Sequence, residues 1–264
     1  TLETSTCNTT NTAFWVWTNL TGNINNTIYM YYGNSSATLP TDYTNPDNSL
    51  VLYMHFDNDT AYGENATKAF DFSKNNNNGT CYGAACPTLA NGTSGKAYSF
   101  DGIADYINIS NSISLNLSST FTLMAWVYPV GAVEDGYVFS KTDFADPGGY
   151  SLFWSGSTDI VRYAYGSSAY NTSTAVFTDN LQWVHVVITR NTTGGIAFYR
   201  NGASAGTALG ATIGTTSYPL LVGDRPDSTG APGSGALNYF NGSIDELRIY
   251  NRSLNSNEIS AIYN

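Results

Sequence analysis

The chain has 264 residues, 42% of them hydrophobic and only 11% charged, enough to bury the core of one large domain and too apolar for a disordered tail. Ten Lys and Arg stand against twenty Asp and Glu, a net charge of −10. Without a basic patch this excludes a nucleic-acid or anionic-lipid binder, and it suits a cation such as calcium.

No apolar run reaches transmembrane length, so no membrane insertion is expected of this segment. With no signal peptide at its start, the chain reads as a mature product or an excised piece. Its polarity is carried by Asn, Thr, Ser, Gly and Tyr, as on an extracellular surface.

Strands announce themselves by alternation and by aromatic and β-branched content. Segments 13-AFWVWTNL-20 and 27-TIYMYYGN-34 form one pair, within a small unit over 1–38. Residues 39–49, with two prolines and several Asn, Asp and Ser, read as a linker. A second unit over 50–264 opens at 50-LVLYMHFDND-59 and passes through a loop-rich stretch, 60–96. Segment 97-AYSFDGIADYINIS-110 predicts two short strands about a tight turn. Segment 121-FTLMAWVYP-129 alternates with both faces apolar, the pattern of a central strand in a sandwich. Further strands are expected at 137–141, 150–155, 160–166, 183–190, 196–202, 219–223 and 243–250. Asn201-Gly202 is a hairpin signal, because that pair tolerates the left-handed backbone of a type I′ turn. The one expected helix follows Asn255 as N-cap, with Glu258 completing a capping box and Leu254 and Ile259 at the staple positions. It is expected to cover one end of the sandwich.

Three cysteines are present. Cys81 and Cys86 in 80-TCYGAACP-87 are close enough for a small disulfide loop. Two reduced thiols are the alternative, and zinc lacks a second ligand pair. Cys7, left over, suggests a partner outside the chain. Asn-X-Ser/Thr sequons number about fourteen: Asn8, Asn19, Asn25, Asn34, Asn58, Asn65, Asn78, Asn91, Asn108, Asn116, Asn171, Asn191, Asn241 and Asn251. Glycosylation is expected at several.

The tail 242-GSIDELRIYNRSLNSNEISAIY-263 resembles the closing motif of laminin-G-like domains of the concanavalin A-like lectin/glucanase superfamily. In the same order, 50-LVLYMHFDND-59 resembles that family's opening strand and 97-AYSFDGIADYINI-109 its aromatic-Asp-Gly motif. Likewise 121-FTLMAWVYP-129 resembles its central strand and 182-QWVHVVITRNTTGGIAFYRNG-202 its Trp-His hairpin, where Val184 replaces the first of two His. The resemblance implies an all-β, antiparallel two-sheet jelly-roll sandwich. Segment 12-TAFWVWTNLTGNINNTIYMYYGNSSAT-38 resembles the last strands of a small β-domain of unknown function from prokaryotic surface proteins. Its first half is missing, which suggests a longer protein or strands supplied by a neighbouring subunit.

Asp57, Asp101 and Asp245 are the candidate calcium ligands: the first and last strands of a sandwich commonly pair, and relatives carry calcium at the rim. The alternative is that Asp101 and Asp245 cap turns. Segment 150-YSLFWSGSTDIVRYAYGSSAY-170 supplies Tyr150, Trp154, Arg162, Tyr163, Tyr165 and Tyr170, with Asp135 and Asp143 in preceding loops. Trp154, Arg162, Tyr163 and Tyr165 are the candidate carbohydrate-binding set, core or sheet-surface aromatics being the alternative. No Glu-x-Asp-x-x-Glu run places carboxylates on one strand face, and His55 and His185 lack a nucleophile signature. The expectation is a non-catalytic, glycosylated, extracellular binding or adhesion module with glycans or other surface proteins as partners. The alternatives are a self-assembling subunit of a surface filament or layer, and an ancillary domain of a secreted glycosidase.

Overall fold

The computed structural model describes residues 48–117, 119–131, 135–143, 148–156, 158, 160–165, 169–174, 180–210, 213–232 and 239–263. The chain divides after Asp47, and the unit described is Asn48–Asn264. The expected N-terminal β-domain, Cys7 and the sequons at Asn8, Asn19, Asn25 and Asn34 lie outside the described residues.

The strands in order are β1 (Leu50–Met54), β2 (Lys68–Ala69), β3 (Gly79–Thr80), β4 (Thr88–Asn91), β5 (Lys96–Asp101), β6 (Ile107–Ile109), β7 (Phe121–Pro129), β8 (Asp135–Ser140), β9 (Ser151–Ser155), β10 (Ile160–Tyr165), β11 (Ala169–Thr172), β12 (Val184–Arg190), β13 (Gly195–Arg200), β14 (Ala203–Leu209), β15 (Leu220–Val222) and β16 (Asn241–Tyr250), and then helix α1 (Ser256–Tyr263). They form two eight-stranded sheets with antiparallel ladders. Sheet A runs β14-β13-β12-β7-β16-β5-β4, with β1 also on β16; sheet B runs β11-β10-β9-β8-β15-β6-β3-β2. This is the jelly-roll sandwich the sequence implies.

β16 is long enough to take two partners along one edge. Its first half pairs β5 and its second half pairs β1, while β7 lies along its other edge. The opening and closing strands therefore do meet. The two strands of the aromatic-Asp-Gly segment part company: β5 joins sheet A and β6 joins sheet B, so residues 102–106 cross between the layers.

The alternation of β7 sorts the molecule. Leu123, Ala125 and Val127 face the inter-sheet core with Val186 and Ile188 of β12 and Ile244, Leu247 and Ile249 of β16. Met124 faces the other way, into a second apolar cluster with Val187, Tyr250, Leu254 and Ile259. That cluster corrects the expected place of the helix. α1 packs on the outer face of sheet A, not over an end of the sandwich, because the second face of β7 and β12 is itself apolar and needs a cover. The capping box forms as the sequence predicts: Glu258 N–H donates to Asn255 Oδ1 (3.1 Å) and Asn255 N–H donates to Glu258 Oε2 (2.8 Å). Asn201 (φ 49°) and Gly202 (φ 75°) are both left-handed and make the β13–β14 turn.

Five strands, β11 among them, have no counterpart in the segments expected from the sequence. β2, β3 and β4 lie in the loop-rich stretch, and β14, 203-ASAGTAL-209, has small residues with no alternation to read.

Candidate functional site

Beside β7, β16 carries an irregularity between Asp245 and Arg248, where Glu246 takes a left-handed φ of 51°. One extra residue is accommodated in the ladder. Neighbours on a regular strand point to opposite faces; here the extra residue brings both carboxyls of the acidic pair to the outer face of sheet A, with Arg248. Glu246 is gripped there. Tyr53 Oη donates to its Oε2 at 2.6 Å, His55 Nδ1 lies 2.6 Å from Oε1, and Arg248 Nη2 donates to Oε2. The Arg248 guanidinium also lies 4.2 Å from the Tyr53 ring centroid. Burial opposes the charge on Glu246, but Arg248 and then His55 outweigh it and hold the carboxyl down at about 2. For Asp245 the balance reverses. Burial first, and the charge of Glu246 second, push it up to about 7. Two adjacent carboxyls are thus driven apart by their surroundings.

Asp57, Asp101 and Asp245 do not converge. Asp245 Oδ2 accepts from Thr93 N–H (2.7 Å), Thr93 Oγ1 (2.8 Å) and Ser94 N–H (3.2 Å). Asp57 Oδ1 accepts from Lys96 N–H at 2.6 Å. Both therefore grip the β4–β5 turn, where Gly95 (φ 69°) would set a Cβ 2.0 Å from Asp57 Oδ1. Asp101 lies at the opposite end of β5, about 16 Å along the strand, and caps the loop by accepting from the N–H groups of Ile103 and Ala104. Among the described residues no group of three or more His, Cys, Asp or Glu is placed to hold a metal ion. The three carboxylates do not fit a shared calcium; backbone N–H groups take one oxygen of each.

The expected aromatic set needs correcting. Trp154 and Tyr163 are 3% and 0% exposed and belong to the core between the sheets, with Tyr150. A ring in the core offers no face to a sugar. The alternation of β9 and β10 turns Phe153 and Arg162 outward, and Arg162 lies over the Phe153 ring at 5.6 Å. Tyr137 meets Phe153 edge-on at 4.8 Å, and Arg225 stands 6.0 Å over Tyr137. The rings of this ladder are buried too. The side chains of Asp135, Tyr165 and Tyr170 lie outside the described ones. Asp143 is buried, its carbonyl accepting from Arg225 Nη1 at 3.0 Å.

Half-buried aromatics instead gather on the outer face of sheet A. Trp126 pairs with His185 across β7 and β12, and with Asp245 across β7 and β16. One step along, Tyr128 meets Trp183 edge-on at 5.6 Å. Tyr263, from the last turn of α1, stacks on Trp126 at 5.5 Å and 24°. Trp126, Tyr128, Trp183 and Tyr263 are all half-buried. Under them His185 is 0% exposed, and among the described residues neither ring nitrogen has a hydrogen-bond partner. Burial, then the Arg248 charge, lowers its pKa to about 3, so the imidazole is neutral. Asp245 Oδ1 is buried without a partner as well. Each such group costs about 1–3 kcal/mol of stability. The strip is therefore flat rings beside unmet polar atoms. In the sequence its signal is the second apolar face of 121-FTLMAWVYP-129; that a helix covers only half of that face is not legible there.

Cys81 and Cys86 form a disulfide, Cα–Cα 5.0 Å. Of the described sequons, Asn65, Asn91, Asn191 and Asn251 are exposed, and Asn58, Asn78, Asn108, Asn116, Asn171 and Asn241 are half-buried. In Asn65 and Asn191 the side-chain oxygen accepts from the N–H and hydroxyl of the sequon's own Thr. Asn171 already uses its Nδ2 on the Leu209 carbonyl at 3.2 Å.

A family model described as the concanavalin A-like lectin/glucanases superfamily matches residues 101–260. The chain belongs to this superfamily. The match takes in β7, the β12–β13 hairpin, β16 and the start of α1, the elements that carry the strip. No curated protein matches the sequence. Among solved structures, domain 4 of AbnA, a GH43 extracellular arabinanase from Geobacillus stearothermophilus in complex with arabinotriose, is 20% identical with a TM-score of 0.64, covering 82% of this chain and 98% of that one. The binding domain of Paraclostridial Mosquitocidal Protein 1 is 17% identical with a TM-score of 0.61, covering 82% and 52%. A heptameric SAP-like pentraxin from Limulus polyphemus is 19% identical with a TM-score of 0.52, covering 63% and 80%. At these identities the likeness is one of fold. The chain spans about half the length of the toxin binding domains it matches.

Proposed function

We propose that Asn48–Asn264 is a non-catalytic carbohydrate-binding module of an extracellular, glycosylated surface protein, and that the strip Tyr128–Trp183–Trp126 is its sugar-stacking surface. The observation that carries this reading is the strip itself: half-buried rings on adjacent strands beside buried polar atoms with unmet hydrogen bonds. Sugars present C–H faces to rings and hydroxyls to polar atoms, which is what such a surface complements. Solved structures of similar fold support the choice of ligand class, one by its arabinotriose and another, a neurotoxin binding domain, by its SialylT complex. The disulfide, the exposed sequons and the low charge support the extracellular setting.

The acidic pair is a poor hydrolase. Glu246, the ionised member, has both oxygens engaged by Tyr53, His55 and Arg248, and is 6% exposed. A nucleophile or base needs an oxygen free to meet substrate. The test is glycan-array and calorimetric binding with Trp183→Ala and Tyr128→Ala: retention of oligosaccharide should vanish in both while the fold is kept. Unchanged binding in both refutes the strip, and turnover of any polysaccharide refutes the non-catalytic reading.

A second reading, assembly into a surface filament through residues 1–38, is favoured by the odd Cys7 in the sequence. Deleting residues 1–45 should then leave soluble monomers, and assemblies that persist would argue against it.

A further inference from the structure

Tyr263 occupies the place a ligand ring would take. Its ring lies 5.5 Å from Trp126 at 24° and 6.1 Å from His185 at 26°. On the strand side it rests against Gly202, where a Cβ would stand 3.2 Å from Tyr263 Cδ1. Among the described residues its hydroxyl makes no hydrogen bond. α1 is anchored by the Asn255–Glu258 box and by Leu254, Ile259 and Ile262 on the second apolar cluster. Tyr263 is thus held by stacking, on the last turn of a short helix, where helices fray.

The groups on either side of Trp126 are chemically unsatisfied. His185 has an unmet donor and an unmet acceptor, and Asp245 Oδ1 is an unmet acceptor across the same row of the sheet. The Tyr263 ring, stacked on His185, supplies neither a donor nor an acceptor to the imidazole. In native proteins such atoms are rarely left so, and the usual remedy is a water or a ligand.

We infer that this seat is a subsite for an uncharged sugar ring, which displaces Tyr263, stacks on Trp126 and hydrogen-bonds His185 and Asp245 through its hydroxyls. A hydroxyl both donates and accepts, so it matches a neutral imidazole and a carboxyl oxygen together. The ligand is uncharged because the cation facing His185, Arg248, is already paired with Glu246 and is not left to meet an acidic sugar. Tyr263 then acts as a latch that keeps Trp126 covered until a sugar competes for the plane. This rests on the strip being a saccharide site, and adds the sugar class and the competitor.

The experiment is isothermal calorimetry of the full chain against arabino-, xylo-, manno- and glucotriose, with trigalacturonate as the acidic counterpart. Four proteins are compared: wild type, Tyr263→Ala, His185→Phe and Trp183→Ala. Tyr263→Ala, at the helix end, removes the competitor and should bind a neutral trisaccharide about tenfold more tightly. His185→Phe replaces a buried unpaired ring by an apolar one of similar shape. It should unfold at the same or higher denaturant while binding about tenfold more weakly. If Trp183→Ala removes binding but the other two variants bind as wild type does, the latch is overturned and the strip stands. If trigalacturonate binds as well as the neutral sugars, the uncharged class is overturned. If none of the saccharides binds any of the proteins, the strip and the latch fall together.

Discussion

Replacing Asp245 by Asn should abolish a fall in stability that wild type shows between pH 4 and pH 8. In the folded protein the carboxyl is buried beside Glu246 and its pKa is raised from 3.8 to about 7. Below both values it is protonated in folded and unfolded chains alike and contributes nothing to the difference. As the pH rises the unfolded chain ionises first, so stability falls until the folded carboxyl ionises near 7, and then levels off. Holding off that charge corresponds to about 4 kcal/mol, from about 1.4 kcal/mol per pH unit. Local relaxation reduces the measurable share to about 2–4 kcal/mol. Asn keeps an oxygen for Thr93 and Ser94 and carries no charge to bury. Urea unfolding of both proteins, followed by tryptophan fluorescence at pH 4.5 and pH 8, reads the term directly. Wild type should lose about 2–4 kcal/mol more than Asp245→Asn between the two pH values. If the two proteins differ by less than about 0.5 kcal/mol in that loss, the ordinary scatter of surface substitutions, Asp245 is not the proton-linked group and the burial argument is wrong.

Glu246, held at about 2 against an ordinary 4.5, works in the opposite sense: its stabilisation is present above about pH 4.5 and is lost as the pH falls toward 2. Glu246→Ala should cost about 3–5 kcal/mol in urea, because it leaves Arg248 buried without its carboxylate; a loss under about 1 kcal/mol would show that Glu246, through Tyr53, does not hold β1 to β16. Trp154→Ala should destabilise by about 3–5 kcal/mol with saccharide affinity unchanged in the folded fraction, whereas lost binding at full stability would return that ring to the surface. The paired Cys81→Ser and Cys86→Ser change should lower stability by about 2 kcal/mol for so short a loop, measured as a shift in denaturation midpoint. Calorimetric titration of chelator-treated protein with calcium should give no heat removed by Asp101→Asn, and a site sensitive to all three of Asp57→Asn, Asp101→Asn and Asp245→Asn would overturn the placement described above.

Local rules carried the sequence reading a long way. The alternation of 121-FTLMAWVYP-129 required a central strand with two apolar faces, Asn201-Gly202 required a left-handed turn, and Asn255 with Glu258 required a capped helix. Each depends on residues within one or two turns of each other, which is the range over which composition dictates backbone. Cys81 and Cys86 were within reach of a disulfide for the same reason.

The site needed the tertiary structure. Trp154 and Trp126 are both tryptophans in aromatic strands, and only the stacking of the sheets decides that one is in the core and the other on the surface. Asp245 and Glu246 are neighbours, which regular alternation would turn to opposite faces; one left-handed residue in β16 puts both on the same face. The charge on Glu246 then depends on Arg248 and on His55, a residue 191 positions away. His185 and Asp245 come to flank Trp126 because β7 lies between β12 and β16. Sequence determines the strands through short-range periodicity. Burial and charge at the site are set by which strands become neighbours, a long-range choice made by the packing of the whole sandwich.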